Sequence, residues 1–220
     1  MNIKIANNQL RSLKLGMSAL ALALMTLTAQ AQQQEHSNPN VRLGQKALLE
    51  GDFKSAVTHL EKAMPTESKD PDVLYLLGYS QFQSGDFQKA ATSFGKVVAL
   101  DAKNANAYYY KAKANNALAE NSKLSNAQRE QLLQSAIGDY TKAIAVNAND
   151  AKLYQNRAVT YRDLGILKGT AGTDNYNKVA ATEAYNKAVT DYEKVLSYDA
   201  ARKDIQTELK KAKIYRDNLK

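Results

Sequence analysis

Histidine and cysteine, the usual nitrogen and sulfur ligands of metals, are rare or absent in this sequence. The chain has two histidines, His36 and His59, and no cysteine among 220 residues. Protein zinc sites take most of their ligands from histidine and cysteine, so the count excludes a site of that kind. A calcium or magnesium site would need a cluster of acidic residues in a loop, and no such loop is visible. We therefore predict no metal site and no cofactor.

Catalysis is not indicated either. Carboxylates such as Glu183 and Asp191 occur on a predicted helix, but their spacing is common on helices that catalyse nothing. The segment from Gly165 to Gly172 lies between two predicted helices, does not follow a strand, and lacks the Lys-Ser/Thr ending of a phosphate-binding loop. We predict no catalytic residue, and we interpret the protein as a non-enzyme.

The N-terminus has the pattern of a secretory signal. An apolar run from Leu15 to Ala29 follows three basic residues, Lys4, Arg11 and Lys14. A helix of that length spans about 22 Å, which is less than the roughly 30 Å core of a bilayer. The small residues Ala29 and Ala31 suit a signal peptidase. We predict a signal peptide over 1–31 cleaved after Ala31, a flexible segment over 32–37, and a periplasmic or secreted protein with no stable membrane span after cleavage. The alternative is an uncleaved anchor.

Charge and cysteine content narrow the function further. The formal net charge is +8, but three of the positive charges lie in the predicted signal and most of the others lie near the C-terminus. Because exported proteins rarely meet nucleic acid, we predict no nucleic-acid partner. A contact of the basic C-terminal helix with anionic lipid or polysaccharide stays open. Without cysteine no disulfide can form, so stability must come from burial.

An internal period of 34 residues organises the rest of the sequence. Leu43-Gly44 recurs as Leu77-Gly78, and Gly51-Asp52-Phe53 recurs as Gly85-Asp86-Phe87. Two further copies appear when the third is allowed twelve extra residues and the fourth eighteen. The positions that recur in all four copies are a small first-helix residue (Gly44, Gly78, Ala112, Ala158), a small second-helix residue (Ala56, Ala90, Ala136, Ala188) and a large one (Leu60, Phe94, Tyr140, Tyr192).

This pattern predicts pairs of closely packed helices. A small residue on each helix lets the two backbones approach, and the large residue one turn further along fills the space beside them. Gly51 and Gly85 would end the first helix of each pair because glycine adopts a left-handed conformation at little cost. Asp52 and Asp86 would then cap the next helix.

Leu43-Gly44, Gly51-Asp52-Phe53, Ala56, Leu60 and Ala63 resemble the tetratricopeptide repeat signature. The resemblance covers about Asn38 to Ala200, although Asp101-Ala102 departs from the family's usual Asp-Pro ending. It implies an all-α fold, a right-handed α-solenoid of about four helix pairs plus a C-terminal capping helix. The copies would span about 38–70, 71–104, 105–149 and 150–200, with the capping helix over 201–220.

The two insertions resemble lengthened second helices. Ser125 and Gln128 form a capping box that would start a helix ending near Val146. In the fourth copy Gly165, Gly169 and Gly172 predict a loop, after which Thr173 or Asp174 would cap a helix through Tyr198.

The family resemblance also implies where a ligand would bind. Stacked helix pairs form a superhelix whose inner wall is lined by the first helix of each pair. The positions that would face this groove are Tyr75, Tyr79, Phe82, Tyr109, Lys113, Asn116, Gln155 and Arg162. Three consecutive tyrosines, Tyr108 to Tyr110, point in different directions on a helix, so at least one must pack between repeats. The carboxylate clamp with which some family members hold chaperone C-termini is absent.

The resemblance therefore implies a protein-protein interaction scaffold in the cell envelope, with a protein or peptide partner of unknown identity. A second hypothesis is a structural protein that associates with itself through the lengthened helices, which would make a homo-oligomer.

Overall fold

The protein is all-helical over residues 36–219, the part of the chain that the computed structural model describes. Nine helices follow one another there: α1 (Pro39–Glu50), α2 (Phe53–Glu67), α3 (Pro71–Gln83), α4 (Phe87–Leu100), α5 (Ala105–Ala119), α6 (Asn126–Val146), α7 (Ala151–Gly169), α8 (Lys178–Tyr198) and α9 (Lys203–Asp217). Each packs mainly against its neighbours in the chain, and the predicted all-α repeat fold is confirmed. The predicted signal peptide lies outside the described residues.

The turns of the first two helix pairs form as their residues predict. Gly51 follows α1 with a φ of 77°, and the backbone N–H groups after the helix bond back to its last carbonyls. The Asp52 side chain accepts a hydrogen bond from the backbone N–H of Ser55 and so caps α2. Gly85 and Asp86 repeat this arrangement between α3 and α4, which explains why the motif recurs.

Small residues bring the paired helices together in the first two copies. A Cβ atom added to Gly44 would lie 2.6 Å from Cγ of Leu60, a distance that packed carbon atoms do not reach. A Cβ atom on Gly78 would lie 3.2 Å from the ring of Phe94. The large residue of the second helix therefore occupies the space that the glycine leaves.

Alanine and tyrosine make the same contact in the third and fourth copies. Ala112, Ala136 and Tyr140 form one fully buried cluster between α5 and α6. The corresponding residues of α7 and α8, Ala158, Ala188 and Tyr192, pack in the next cluster along the chain. All four copies thus share one mode of helix pairing, which the sequence period predicts.

The insertions lengthen the second helix of the third pair and both helices of the fourth pair. Helices α6 and α8 each have 21 residues and α7 has 19, whereas α3 has 13 and α4 has 14. The predicted capping box is present, because the Ser125 hydroxyl accepts from the Gln128 backbone and the Gln128 side chain accepts from the Ser125 backbone. The prediction that the extra residues extend only the second helices was wrong for the fourth copy, where the first helix is extended as well.

The predicted loop of the fourth copy begins later than expected. Gly165 lies inside α7 and is buried against α8, where a Cβ atom would come within 2.8 Å of the Tyr185 ring. Only Gly172 adopts a positive φ, 82°, in the turn that follows. The cap of α8 is Asn177, which accepts from the backbone N–H of Ala180. Thr173 and Asp174 therefore do not cap this helix.

Helix α9 closes the C-terminal end of the array. Its residues Ile205 and Ala212 are buried, in the same cluster as Ala158 and Tyr192. The remaining residues of α9 are mostly exposed and charged, as expected for a helix that buries one side only. Within residues 36–219 no helix is both long enough and apolar enough to cross a membrane.

Two ion pairs, each with a buried aspartate and a partly buried cation, connect the later helix pairs. Lys111 of α5 meets Asp139 of α6, with Nζ 3.0 Å from Oδ2. Arg157 of α7 binds Asp191 of α8 through two hydrogen bonds of 2.7 and 2.8 Å. Each cation directly precedes the small first-helix residue and each aspartate directly precedes the large tyrosine, so the two pairs occupy equivalent positions.

Candidate functional site

Aromatic rings from α3, α4 and α5 form one cluster at the junction of the second and third copies. Tyr110 is at its centre, with ring centroids 5.3 Å from Tyr79, 5.6 Å from Phe82 and 5.5 Å from Phe94. Tyr75 meets both Phe94 and Tyr110 edge to face. Ring pairs at these distances add to the free energy of burial. The cluster therefore makes a rigid wall.

Burial makes two of these tyrosines harder to ionise. It raises the pKa of Tyr110 to about 12 and also raises the pKa of Tyr75, in each case chiefly because the ionised phenol would lose its water. The Tyr79 hydroxyl accepts a hydrogen bond of 2.7 Å from the Gln83 side chain. The rings make the wall largely apolar, with hydroxyl groups as its polar points.

Lys113 lies beside this wall on α5. Its Nζ is 5.3 Å from the ring centroid of Phe82 and 5.6 Å from that of Tyr109. Partial burial lowers the pKa of Lys113, and no carboxylate among residues 36–219 lies within 4.0 Å of its Nζ. The ammonium group therefore loses water, receives only the attraction of two ring faces, and retains its capacity to bind an anion or a carbonyl oxygen.

One side of α5, here called the α5 stripe, carries Tyr109, Lys113 and Asn116, and Glu120 follows at the C-cap of the helix. Their spacing of four, three and four residues keeps them on one side. Asn116 donates from Nδ2 to the Thr160 hydroxyl of α7 at 2.7 Å, and that hydroxyl donates to the Asn156 carbonyl. This connection orients the Asn116 amide and fixes α5 against α7.

Gln155 and Arg162 are bound within the protein, unlike Lys113. Arg162 donates to Asp163 at 2.9 Å and to Glu208 of α9 at 2.5 Å. Gln155 accepts from Arg202, which precedes α9, at 3.2 Å. The two side chains therefore attach α7 to the C-terminal helix. Their first role is structural.

A cavity of about 450 Å³ opens where the insertions begin. It lies between the end of α5, the start of α6 and the second half of α7. The polar and charged residues that line it include Asn116, Glu120, Arg129, Arg162 and Asp163, and Ile166 adds an exposed apolar side chain. The stripe on α5 thus leads from the aromatic wall into this cavity.

The chain is similar to proteins built from helical repeats. A family model described as anaphase-promoting complex, cyclosome, subunit 3 matches residues 50–124. A solved structure described as the MamA RS-1 ArsTM double mutant superposes with a TM-score of 0.60 at 20% identity, over 81% of this chain and 84% of that one. A crystal structure of MamA gives 0.51 at 24% identity, over 80% and 95% of the two chains.

A chain from the APC/C hetero-tetramer Cut9-Hcn1 gives a TM-score of 0.55 at 19% identity, over 79% of this chain and 29% of that chain. No curated protein sequence matches. The fold is a tetratricopeptide-type helical repeat. Successive first helices contact one another, α1 with α3 and α3 with α5, and Lys113 and the partly exposed rings of the aromatic wall lie on α3 and α5.

The structure therefore divides the eight predicted groove residues of this helical array into three sets. Tyr75, Tyr79, Phe82, Tyr109 and Lys113 come together at the aromatic wall. Asn116 links that wall to the cavity, while Gln155 and Arg162 are attached to α9. Sequence reasoning missed Tyr110, the central ring, because three consecutive tyrosines gave no sign of which one packs between repeats.

One histidine lies near two carboxylates at the start of the array. His36 Nε2 is 3.9 Å from Glu67 and 3.8 Å from Asp70, and its Nδ1 accepts from the Asn38 backbone. The sequence gave no signal for this grouping, because its members are far apart in the chain. The candidate ligand atoms of the three side chains lie within 4.8 Å of one another, and such partly exposed acidic groupings are common in proteins without a bound ion.

Proposed function

We propose that this protein is a non-enzymatic scaffold that binds a segment of a partner polypeptide in the groove formed by its first helices. The observation that supports this most directly is Lys113, an ammonium group placed between two aromatic rings with no carboxylate partner in residues 36–219. Proteins built from tetratricopeptide-type repeats generally mediate contacts with other proteins, which agrees with this reading.

The energetics favour a ligand role for Lys113. Removing an ammonium group from water is costly unless a hydrogen-bonding partner replaces the water. A methionine would fill the same space between Phe82 and Tyr109 without that cost. A backbone carbonyl or a carboxylate of a bound polypeptide would satisfy the ammonium, while the rings of Tyr75 and Tyr79 provide apolar contact area beside it.

We place this activity in the cell envelope. The support is the N-terminal sequence alone, with its basic start, short apolar run and Ala29-Gln30-Ala31. Cell fractionation followed by mass spectrometry of the mature protein tests this directly. A protein of full length in the cytoplasmic fraction would contradict the location while leaving the groove proposal intact.

Replacing Lys113 tests the groove. We expect Lys113→Met to weaken partner binding by about tenfold or more, because a hydrogen bond to a charged group is worth roughly 1.5–3 kcal/mol. We expect the melting temperature to stay the same or rise. In-cell crosslinking followed by mass spectrometry would measure the recovery of crosslinked partners.

Lys142→Met is the matched control. Lys142 also lies over a ring, 5.6 Å from the centroid of Tyr108, but on the second helix of its pair. Partner recovery should be unaffected by this change. Equal recovery with wild type, Lys113→Met and Lys142→Met would refute binding at this groove.

Self-association is the second candidate function. Val179 at the start of the lengthened α8 is 79% exposed, and Ile166 of the lengthened α7 is 44% exposed. Exposed apolar side chains on a surface can mark a protein interface. The measurement that separates this function from the first is described in the Discussion.

A further inference from the structure

The cavity at the end of the α5 stripe contains acceptors without partners. Glu120, which ends α5, forms no ion pair with any residue in 36–219. Asp163 receives two hydrogen bonds from Arg162, both at Oδ1, so its Oδ2 accepts none from the described residues. Both side chains line the cavity. Two carboxylate groups there are therefore able to bind a further donor.

The electrostatics of this corner favour a positive ligand. Burial raises the pKa of Asp163, and the nearby carboxylates of Glu120 and Glu208 raise it further, against the opposing effect of Arg162. The last turns of α5 and α7 lie there, and the carbonyl ends of helices attract cations, whereas the first turn of α6, which also borders the cavity, has the opposite polarity. A bound ammonium or guanidinium group would stabilise the carboxylates of Asp163 and Glu120 and the carbonyl ends of α5 and α7.

The two arginines in the cavity wall do not pair with both carboxylates. Arg162 is shared between Asp163 and Glu208, and Glu208 also pairs with Lys211. Arg129 donates from Nε to the Ala119 carbonyl at 2.8 Å and thereby holds the start of α6 against the end of α5. Glu120 is left without a cation.

The distance along α5 determines the spacing of a ligand that uses both sites. Lys113 and Glu120 are seven residues apart on the same face, which corresponds to about 10 Å along the helix axis. An extended polypeptide advances about 3.3 Å per residue, so about three of its residues cover that distance.

We propose that the groove selects a partner segment with one acidic and one basic side chain about three residues apart in extended conformation. Lys113 binds the acidic side chain beside the aromatic wall. The basic side chain, a lysine or an arginine, enters the cavity and pairs with Glu120 and Asp163. This inference rests on the proposed function and specifies the chemistry of its partner.

A peptide array tests the proposal with the full chain. The probes are synthetic peptides of alanine, serine and tyrosine that carry one glutamate and one lysine, in both orders and at every separation from one to six residues. We expect wild-type protein to bind one order at a separation of about three at least tenfold more tightly than adjacent placement. Fluorescence anisotropy of the best peptides would give the affinities.

Two variants should lose opposite halves of the selectivity. Glu120→Gln should remove the preference for lysine and keep the preference for glutamate, whereas Lys113→Met should do the reverse. Glu50→Gln is the control, because it removes one negative charge from an exposed pair with Lys46 at the other end of the array. It should bind like wild type.

The outcomes distinguish the two proposals. If Glu120→Gln keeps the full preference for lysine, or if wild type selects an acidic residue at the cavity end, the cavity does not bind a basic side chain. Peptides that bind through Lys113 without regard to lysine would overturn this inference and leave the scaffold function standing. If no peptide binds wild type, both proposals fail.

Discussion

Gly165 offers a direct test of helix packing in the fourth repeat. It lies inside α7, where the helix meets α8, and it faces the ring of Tyr185, which is only 3% exposed. The substitution Gly165→Ala adds a single methyl group at this contact. Because alanine favours helix more than glycine does, intrinsic propensity alone predicts that the variant is more stable.

The geometry predicts the opposite sign. The added Cβ would lie 2.8 to 2.9 Å from three atoms of the Tyr185 ring, and a buried ring has no free end that can move away. Overpacking of this kind costs about 1–3 kcal/mol, against a gain of about 1 kcal/mol in helix propensity. We expect the free energy of unfolding to fall by up to about 2 kcal/mol.

Gly138 provides the matched control. It lies inside α6, is exposed, and a Cβ there would meet no atom within 4 Å. Gly138→Ala should therefore raise the free energy of unfolding by about 1 kcal/mol. The two variants make the same chemical change in similar helices, and the expected difference between them is the overpacking cost, about 1–3 kcal/mol.

Urea unfolding followed by circular dichroism would measure both variants. Combining Gly165→Ala with Tyr185→Leu should cost less than the sum of the single changes, since the smaller side chain relieves the collision. If Gly165→Ala is as stable as Gly138→Ala, then α7 and α8 do not approach as closely as the structure shows, and the reasoning about small residues fails.

Three other predictions concern the later repeats. Asp191→Ala should lower the free energy of unfolding by about 3 kcal/mol because Arg157 would lose its buried partner. Glu183→Ala breaks an exposed pair and should cost less than about 0.5 kcal/mol. Denaturant titration measures both variants, and equal losses would contradict the difference in burial. Tyr140→Phe should raise stability by about 1 kcal/mol, because the Tyr140 hydroxyl is buried with no hydrogen-bond partner in residues 36–219. Burial also raises the pKa of Tyr140 above its unfolded value, so wild type should lose stability as the pH rises above about 10 and the variant should lose less, which thermal melts across that range would show. Sedimentation should give a monomer at every concentration for wild type and for Val179→Glu, and a wild-type dimer that Val179→Glu dissociates would favour the self-association function.

Much of the fold could be predicted from the sequence because residue types at fixed positions of each repeat indicate which helices contact one another. A small residue at a fixed position means close approach of two helices, and Gly44 and Gly78 indeed lie against Leu60 and Phe94. Gly165 shows the limit of such reasoning. Its partner Tyr185 lies twenty residues away across an insertion, so the glycine resembled a helix breaker when it was a packing residue.

The candidate site could be predicted only in part. Family resemblance identified the wall residues on α3 and α5, because regular repeats place equivalent positions on the groove. It could not show that Arg162 is neutralised, since the partner Glu208 comes from α9, outside the repeats. The cavity was also invisible, because insertions of irregular length form it.

The sequence itself contains a signal for the two ion pairs. Lys111 and Arg157 each precede the small first-helix residue, and Asp139 and Asp191 each precede the large tyrosine. Opposite charges at equivalent positions of two repeats predict a cross-helix pair in both. In the second repeat Leu77 and Ser93 occupy those positions, so the signal is confined to the later copies.

The hydrogen bonds between successive first helices have a mechanical consequence. Asn116 joins α5 to α7 through Thr160, and Arg162 joins α7 to α9 through Glu208. A force that stretches this half of the superhelix would have to break these hydrogen bonds together. Helices that meet only through apolar surfaces could instead slide past one another gradually. The C-terminal half should therefore be stiff, with the spacing of its first helices fixed in the free protein. A ligand that binds there would cost the protein little conformational entropy.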